Sequence, residues 1–151
     1  MSEQKQKYQA YAAATQTVAR TKQIVLLYDG VIRFIKQAKE AIGENRIEDR
    51  YKLLIKASEI IGGLQACLDF ENGGEVAKIL YGFYASIDGR IFSVHRTNSI
   101  DTCDQVIAEL KQMRHVWQEI DETTSTATGT QAAPAEIPPA STGMDGIVIS
   151  A

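Results

Sequence analysis

Residues 24–42 read IVLLYDGVIRFIKQAKEAI and carry the clearest structural pattern in the chain. Apolar side chains recur there at alternating steps of four and three residues, the spacing that places them on one face of an α-helix. These positions are Ile24, Tyr28, Val31, Ile35, Ala38 and Ile42. Further apolar residues flank this row on both sides, so the apolar surface is wider than a helix with one neighbour needs. The pattern predicts a long helix that packs against several others.

Three further segments show the same helical spacing and predict helices over about residues 47–68, 75–95 and 100–120. The connections between them are short and contain residues that end or begin helices, such as Gly43, Gly73 and Asn98. Short connections force successive helices to lie antiparallel. The sequence therefore predicts an all-α fold, an antiparallel up-down-up-down four-helix bundle.

Three glycines interrupt the predicted helices at positions where another residue would stabilise the helix. Gly30 lies inside the first helix, and Gly62 and Gly63 lie inside the second. Each costs about 1 kcal/mol relative to alanine. Close approach of a neighbouring helix explains such a glycine, but so does contact with a partner or, for the pair, a bend in the helix.

The two ends of the chain differ from the bundle in composition. Residues 1–17 are polar and then Ala-rich, which predicts a mobile N-terminal segment with a short conditional helix around Tyr8 and Tyr11. Residues 122–151 are rich in Thr, Ala and Pro and predict a disordered, flexible tail. The bundle domain is then expected over residues 18–121. The apolar end of the tail, MDGIVISA, fits an unstructured end, packing on the bundle, or docking on another chain.

Composition limits the classes of partner. Lys and Arg number 16 against 19 Asp and Glu, for a net charge of −3, and no stretch is basic enough to predict a nucleic-acid partner. No apolar run approaches the roughly 18 residues of a membrane span, and the first residues lack the apolar core of a signal peptide. Cys67 and Cys103 occupy apolar helical positions, as reduced thiols do. We expect a cytosolic protein without membrane insertion.

The sequence contains no recognisable catalytic or cofactor motif. A di-iron site in a bundle needs Glu-x-x-His pairs, and neither His95 nor His115 has a Glu three residues before it. There is no phosphate-binding loop, nucleophile elbow or C-x-x-C metal motif. We therefore expect a binding protein, not an enzyme, with no cofactor, metal or catalytic residue. A histidine phosphotransfer domain with His95 as the phosphoacceptor, and a bundle that regulates another factor, are the alternatives.

Three segments together resemble one protein family. They are LLYDGVIRFIKQA at 26–38, LDFENGGEVAKIL at 68–80 and MRHVWQEI at 113–120, in this order and spacing. This combination is similar to the FliS family of flagellar secretion chaperones, and the resemblance extends from Tyr8 to Asp121. It implies a cytosolic chaperone that binds the C-terminal segment of new flagellin, prevents premature polymerisation and delivers the subunit to the type III flagellar export gate.

The resemblance also implies a partner-binding site. Tyr8 and Gln9 resemble the N-terminal segment that caps an apolar groove in this family, and Tyr11 belongs to the same segment. We expect the groove on the wide apolar faces of the first two helices. The expected groove residues are Tyr28, Ile32, Leu54, Ile61 and Leu68. The alternative, that both faces are simply core, fits the periodicity equally well.

Overall fold

A computed structural model describes residues 2–14 and 20–135 of the chain. Over these residues the protein consists of five α-helices and contains no β-strand, which confirms the predicted all-α class. The helices are α1 (Ser2–Ala14), α2 (Thr21–Gly43), α3 (Ile47–Ala66), α4 (Phe70–Thr97) and α5 (Ile100–Ala135). None of the described helices is both long and apolar enough to cross a membrane.

The core forms along the apolar faces that the sequence predicts. The row on α2 is buried from Ile24 to Ala38, and Ile42 at its end is partly buried. The corresponding faces of α4 and α5 contribute Leu80, Ile87, Ile91, Val94, Cys103, Ile107, Leu110, Trp117 and Ile120. Burial of these side chains is the main driving force for folding of the bundle, at about 1.5–3 kcal/mol for each large aliphatic residue.

The long helices contact one another through the core and through ion pairs at its edge. α2 packs on α3, and α3 packs on α4. Two ion pairs join α5 to α2, Lys39 with Asp104 and Arg114 with Asp29. A third joins α5 to α4, where Arg90 Nη2 lies 2.6 Å from Glu109 Oε1.

The predicted corner between the second and third helices contains a first turn of helix. Asp69 caps α4, because its Oδ1 accepts a hydrogen bond of 3.1 Å from the backbone N–H of Asn72, and these hydrogen bonds lower the pKa of the Asp69 carboxyl. A first helical turn therefore begins at Phe70. Gly74 has φ +53°, a conformation that favours glycine, and interrupts the helical geometry, so the continuous part of α4 begins near residue 75, as the sequence predicts.

The last helix is longer than its apolar face predicts. Ile120 is the last fully buried residue in the part of α5 whose side chains are described, and residues 122 and 123 are exposed, yet the helical backbone continues to Ala135. Helical hydrogen bonds are local, so a helix can extend past its packed part. The described residues from 121 to 135 belong to a second unit of the chain. Residues 136–151, with the apolar end MDGIVISA, lie outside the described residues.

The glycines have different explanations. A Cβ at Gly30 would lie 3.3 Å from Ile60 Cδ1, which confirms that α3 approaches α2 closely at this residue. Nothing lies within 4 Å of a Cβ built at Gly62 or Gly63, so close packing is the wrong explanation for that pair.

Candidate partner-binding site

A cluster of three aromatic side chains lies where α2, α4 and α5 meet. Tyr28, Tyr84 and Trp117 are at most 1% exposed and are among the largest fully buried side chains of the protein. The Tyr28 hydroxyl donates a hydrogen bond of 2.9 Å to the Tyr84 hydroxyl, and burial raises the pKa of both. The buried indole of Trp117 lies beside the Tyr28 hydroxyl, close enough to oppose the rise in the pKa of Tyr28 that burial causes. We call these three residues the aromatic cluster.

Helix α1 lies over the aromatic cluster and is attached through two tyrosines. The Tyr11 ring meets the Trp117 ring edge to face, with centroids 5.4 Å apart. The Tyr8 hydroxyl donates to Glu119 Oε1 at 3.1 Å and accepts from the Gln4 side-chain amide at 2.7 Å. α1 also packs on α4. Since residues 2–14 carry few large apolar side chains, α1 depends on these contacts to stay folded on the bundle.

An apolar hollow opens beside the aromatic cluster, between the start of α2 and the end of α3. It has a volume of about 50 Å³ and is lined by Arg20, Gln23, Ile24, Leu27, Gly63, Leu64, Cys67 and Tyr84. Leu27 is 41% exposed at its rim, and the neighbouring Leu26 is 61% exposed. Tyr84 belongs to both the hollow and the cluster, so the hollow adjoins the aromatic cluster.

The structure brings part of the predicted site together. Tyr8 and Tyr11 are partly buried against α5, whereas Gln9 is exposed. Tyr11 lies close enough to Tyr28 to influence its titration. The other predicted groove residues are buried in the core, Ile32 at 7%, Leu54 at 0%, Ile61 at 0% and Leu68 at 8% exposure. Leu54 and Ile61 therefore present no surface to a partner in this conformation.

Sequence reasoning missed Tyr84 and Leu27 as site residues. Tyr84 lies four residues after Leu80 and three before Ile87, so helical spacing alone places it on the buried face of α4. Leu27 flanks the main row of α2, and its partial exposure depends on how α3 ends beside it. The sequence therefore indicated that Tyr84 is buried, whereas nothing in it indicated that Leu27 is partly exposed.

The surroundings of His95 bear on the phosphotransfer alternative. The imidazole lies between two aromatic rings, 5.3 Å from Tyr51 and 6.1 Å from Phe92 between centroids. Its Nδ1 is buried, and burial lowers its pKa. A phosphoacceptor needs an exposed imidazole, so this environment does not favour phosphotransfer. Among the described residues no group of His, Cys, Asp and Glu could hold a metal ion.

Comparison with known proteins identifies related sequences. Residues 1–124 match the family described as Flagellar protein FliS. The flagellar secretion chaperone FliS of Campylobacter jejuni is 31% identical over 114 residues, which cover 75% of this chain and 89% of that protein. The flagellar secretion chaperone FliSB of Pseudomonas aeruginosa is 34% identical over 97 residues, 64% of this chain and 77% of that protein. FliS of Vibrio cholerae is 30% identical over 97 residues, 64% of this chain and 71% of that protein.

Proposed function

The chain belongs to the FliS family of flagellar secretion chaperones, and we propose that its client is flagellin. In this proposal the protein binds the C-terminal segment of flagellin in the cytosol, prevents its premature polymerisation and delivers it to the export gate of the flagellar type III apparatus. The relatives are named as chaperones, a class that performs no catalysis, so the protein is not an enzyme.

The proposed scaffold is an antiparallel up-down-up-down arrangement of α2, α3, α4 and α5. Contacts between the helices support it, because in an antiparallel pair a residue near the start of one helix contacts a residue near the end of the other. For α2 and α5 the contacts are Asp29 with Arg114 and Lys39 with Asp104. For α3 and α4 they are Arg50 with Asn98 and Gln65 with the backbone carbonyl of Tyr81.

The observation that carries the proposal is that α1, a helix whose own composition is marginal, covers the aromatic cluster with Tyr11 on Trp117 and Tyr8 hydrogen-bonded to Glu119. An assembly-prone amphipathic helix exposes an apolar face, and a groove on a chaperone can cover that face before assembly. When α1 leaves, the surface around Trp117 and Tyr84 becomes accessible and extends the hollow at Leu27. The client helix then occupies the surface that α1 covers in the empty chaperone.

Competition with α1 sets the apparent affinity for the client. If α1 covers the groove for most of the time, the apparent dissociation constant is the intrinsic one divided by the open fraction. In this scheme Tyr8, Gln9 and Tyr11 act as the cap, and Tyr28, Ile32 and Leu68 form the groove. Leu54 and Ile61 support the groove from the core, since neither has exposed surface and neither belongs to the aromatic cluster that α1 covers.

Calorimetry with a flagellin C-terminal peptide tests the client and the cap separately. We expect the full chain to bind the peptide with one-to-one stoichiometry and to suppress flagellin polymerisation. Tyr11→Ala removes the edge-to-face contact with Trp117 and should tighten binding by about 2- to 10-fold, from the usual strength of such aromatic pairs. Tyr51→Ala is the matched control, because Tyr51 is exposed and its ring contacts His95 rather than α1.

The two parts of the proposal fail in different ways. No binding of the peptide by the full chain and by Tyr11→Ala would exclude flagellin as the client. Binding that Tyr11→Ala leaves unchanged would retain the client but remove the cap. The single tryptophan gives a second readout, because Trp117 emission should shift when peptide replaces α1.

A further inference from the structure

The outward side of α2 and its two neighbours carry four exposed cations that form no ion pair with any described residue. They are Arg33 and Lys36 on α2, Lys56 on α3 and Lys111 on α5. Other cations near these helices have carboxylate partners, as Arg90 has Glu109, Lys39 has Asp104 and Arg46 has Asp49, whereas exposed unpaired cations such as Lys22 and Arg96 lie outside this region. The whole chain has a net charge of −3, so this positive surface is a local exception. We call these four residues the basic strip.

The four cations of the basic strip are neighbours in space. The guanidinium carbon of Arg33 lies 5.3 Å and Lys56 Nζ lies 5.6 Å from the centroid of the Phe34 ring. Lys36 follows Arg33 by three residues on the same side of α2. Lys36 and Lys111 line one cleft between α2 and α5. The strip therefore extends from α3 across α2 to α5.

The surface between the cations is partly apolar. Phe34 is partly buried under Arg33 and Lys56, and Leu53 lines the adjoining cleft between α2 and α3. The carboxylates of the same clefts are Glu40, Asp49 and Asp104, of which the last two are engaged by Arg46 and Lys39. Of these three carboxylates, Glu40 alone forms no ion pair with a described residue. The two clefts contain more cations than carboxylates, and Phe34 and Leu53 provide apolar surface beside them.

We propose that the basic strip docks an acidic amphipathic helical segment of a partner protein. Aspartate and glutamate side chains of that segment lie near Lys36, Lys56 and Lys111, and its aliphatic side chains lie on Phe34 and Leu53. Charge complementarity of this kind accelerates encounter and selects the orientation of the partner. The strip shares no residue with the aromatic cluster or with the hollow, so the inference does not depend on the proposed client.

A protein segment fits this surface better than nucleic acid does. Proteins that bind DNA through its backbone typically neutralise about 6–10 phosphates, which is more than four cations can do. The ring of Phe34 between two of the cations also offers an apolar contact that a phosphate backbone cannot use. An amphipathic helix uses both features at once.

Three synthetic helical peptides test the proposal on the full chain. All have about 15 residues and the same leucine face, and their remaining positions are Glu, Gln or Lys. We expect fluorescence anisotropy to detect binding of the Glu peptide, with binding that weakens as salt rises because the charges are exposed. Lys36→Glu/Lys111→Glu should weaken it about tenfold, since two attractions become repulsions.

A matched variant controls for net charge. Lys22→Glu/Arg96→Glu makes the same change in charge at two exposed residues outside the strip, neither of which forms an ion pair with a described residue. We expect the Glu peptide to bind this variant and the wild type equally, and thermal melts should show that both variants are folded.

Several results would overturn the proposal. Equal binding of the Glu and Gln peptides would show that the cations do not select acidic residues. If Lys36→Glu/Lys111→Glu and Lys22→Glu/Arg96→Glu weaken binding of the Glu peptide equally, the effect arises from net charge and not from the strip. If anionic vesicles or a DNA duplex bind the wild type at physiological salt and lose binding in Lys36→Glu/Lys111→Glu, the strip belongs to that ligand instead.

Discussion

Removing the hydroxyl of Tyr28 or Tyr84 should destabilise the bundle more than removing both. Tyr28 donates to Tyr84 at 2.9 Å, and exposures of 0% and 1% leave no access for a replacing water molecule. A buried hydroxyl that loses its partner costs about 1–3 kcal/mol. Each of Tyr28→Phe and Tyr84→Phe leaves one such hydroxyl, so each should lower the free energy of unfolding by about 2 kcal/mol.

The double variant provides the decisive measurement. Tyr28→Phe/Tyr84→Phe removes both polar groups and keeps both rings, a change that can be nearly neutral, so we expect a loss of about 0–1 kcal/mol. Urea unfolding followed by circular dichroism gives the unfolding free energy of the wild type, the two single variants and the double variant, with Trp117 emission as a second probe. Tyr51→Phe, at a ring that is 53% exposed, should change stability by less than about 0.5 kcal/mol.

The same hydroxyls predict a pH dependence. Burial raises the pKa of both tyrosines above the ordinary value of 10.0, so the folded protein retains protons that the unfolded chain releases. Stability from this source is complete below pH 10.0 and falls as the pH rises above it. The double phenylalanine variant should lose less stability in that alkaline range than the wild type does. If the unfolding free energy of the double variant falls by the sum of the losses in the two single variants, the hydrogen bond is refuted.

Three further predictions concern separate parts of the fold. Gly62→Ala should raise the free energy of unfolding by about 1 kcal/mol in urea titrations, because a Cβ there meets nothing within 4 Å, and a decrease would mean that α3 needs this glycine. Cys67 is exposed, whereas burial raises the pKa of the Cys103 thiol to about 11, so a thiol reagent near neutral pH should label Cys67 alone until the protein unfolds. The ion pair with Arg90 lowers the pKa of Glu109 below the ordinary value of 4.5, so its stabilisation is present above pH 4.5 and is lost as the pH falls through the lowered pKa. Glu109→Gln should therefore reduce the dependence of the unfolding free energy on pH in this acid range. An unchanged dependence would contradict the pairing.

Much of the candidate site follows from the sequence, but its accessibility does not. Helical spacing places Tyr28 and Trp117 on inward faces, where the structure has them. The same reasoning treats Ile47, Tyr51, Leu54 and Ile61 as one row of α3, yet the first two are exposed and the last two are completely buried. The difference arises because the buried row of α3 passes through Arg50, Leu54 and Ile61 rather than through Ile47 and Tyr51, and periodicity does not show which side of a wide apolar face the neighbouring helices cover.

The position of α1 is a second feature that the local sequence does not determine. Residues 2–14 form a helix whose composition is marginal in isolation, and its contacts are with residues more than 100 positions away, Tyr8 with Glu119 and Tyr11 with Trp117. The basic strip is similar, since its members come from three helices and become a patch only when those helices pack.

The sequence by itself determined the helical class, the approximate helix positions and the faces that turn inward, because the spacing of apolar side chains and the capping residues act within a few turns of one helix. The tertiary structure alone decided which apolar surface remains open, that Tyr28 and Tyr84 share a hydrogen bond, and which cations lack partners. These features depend on distances between side chains on different helices, and such distances are set only when the whole bundle is packed.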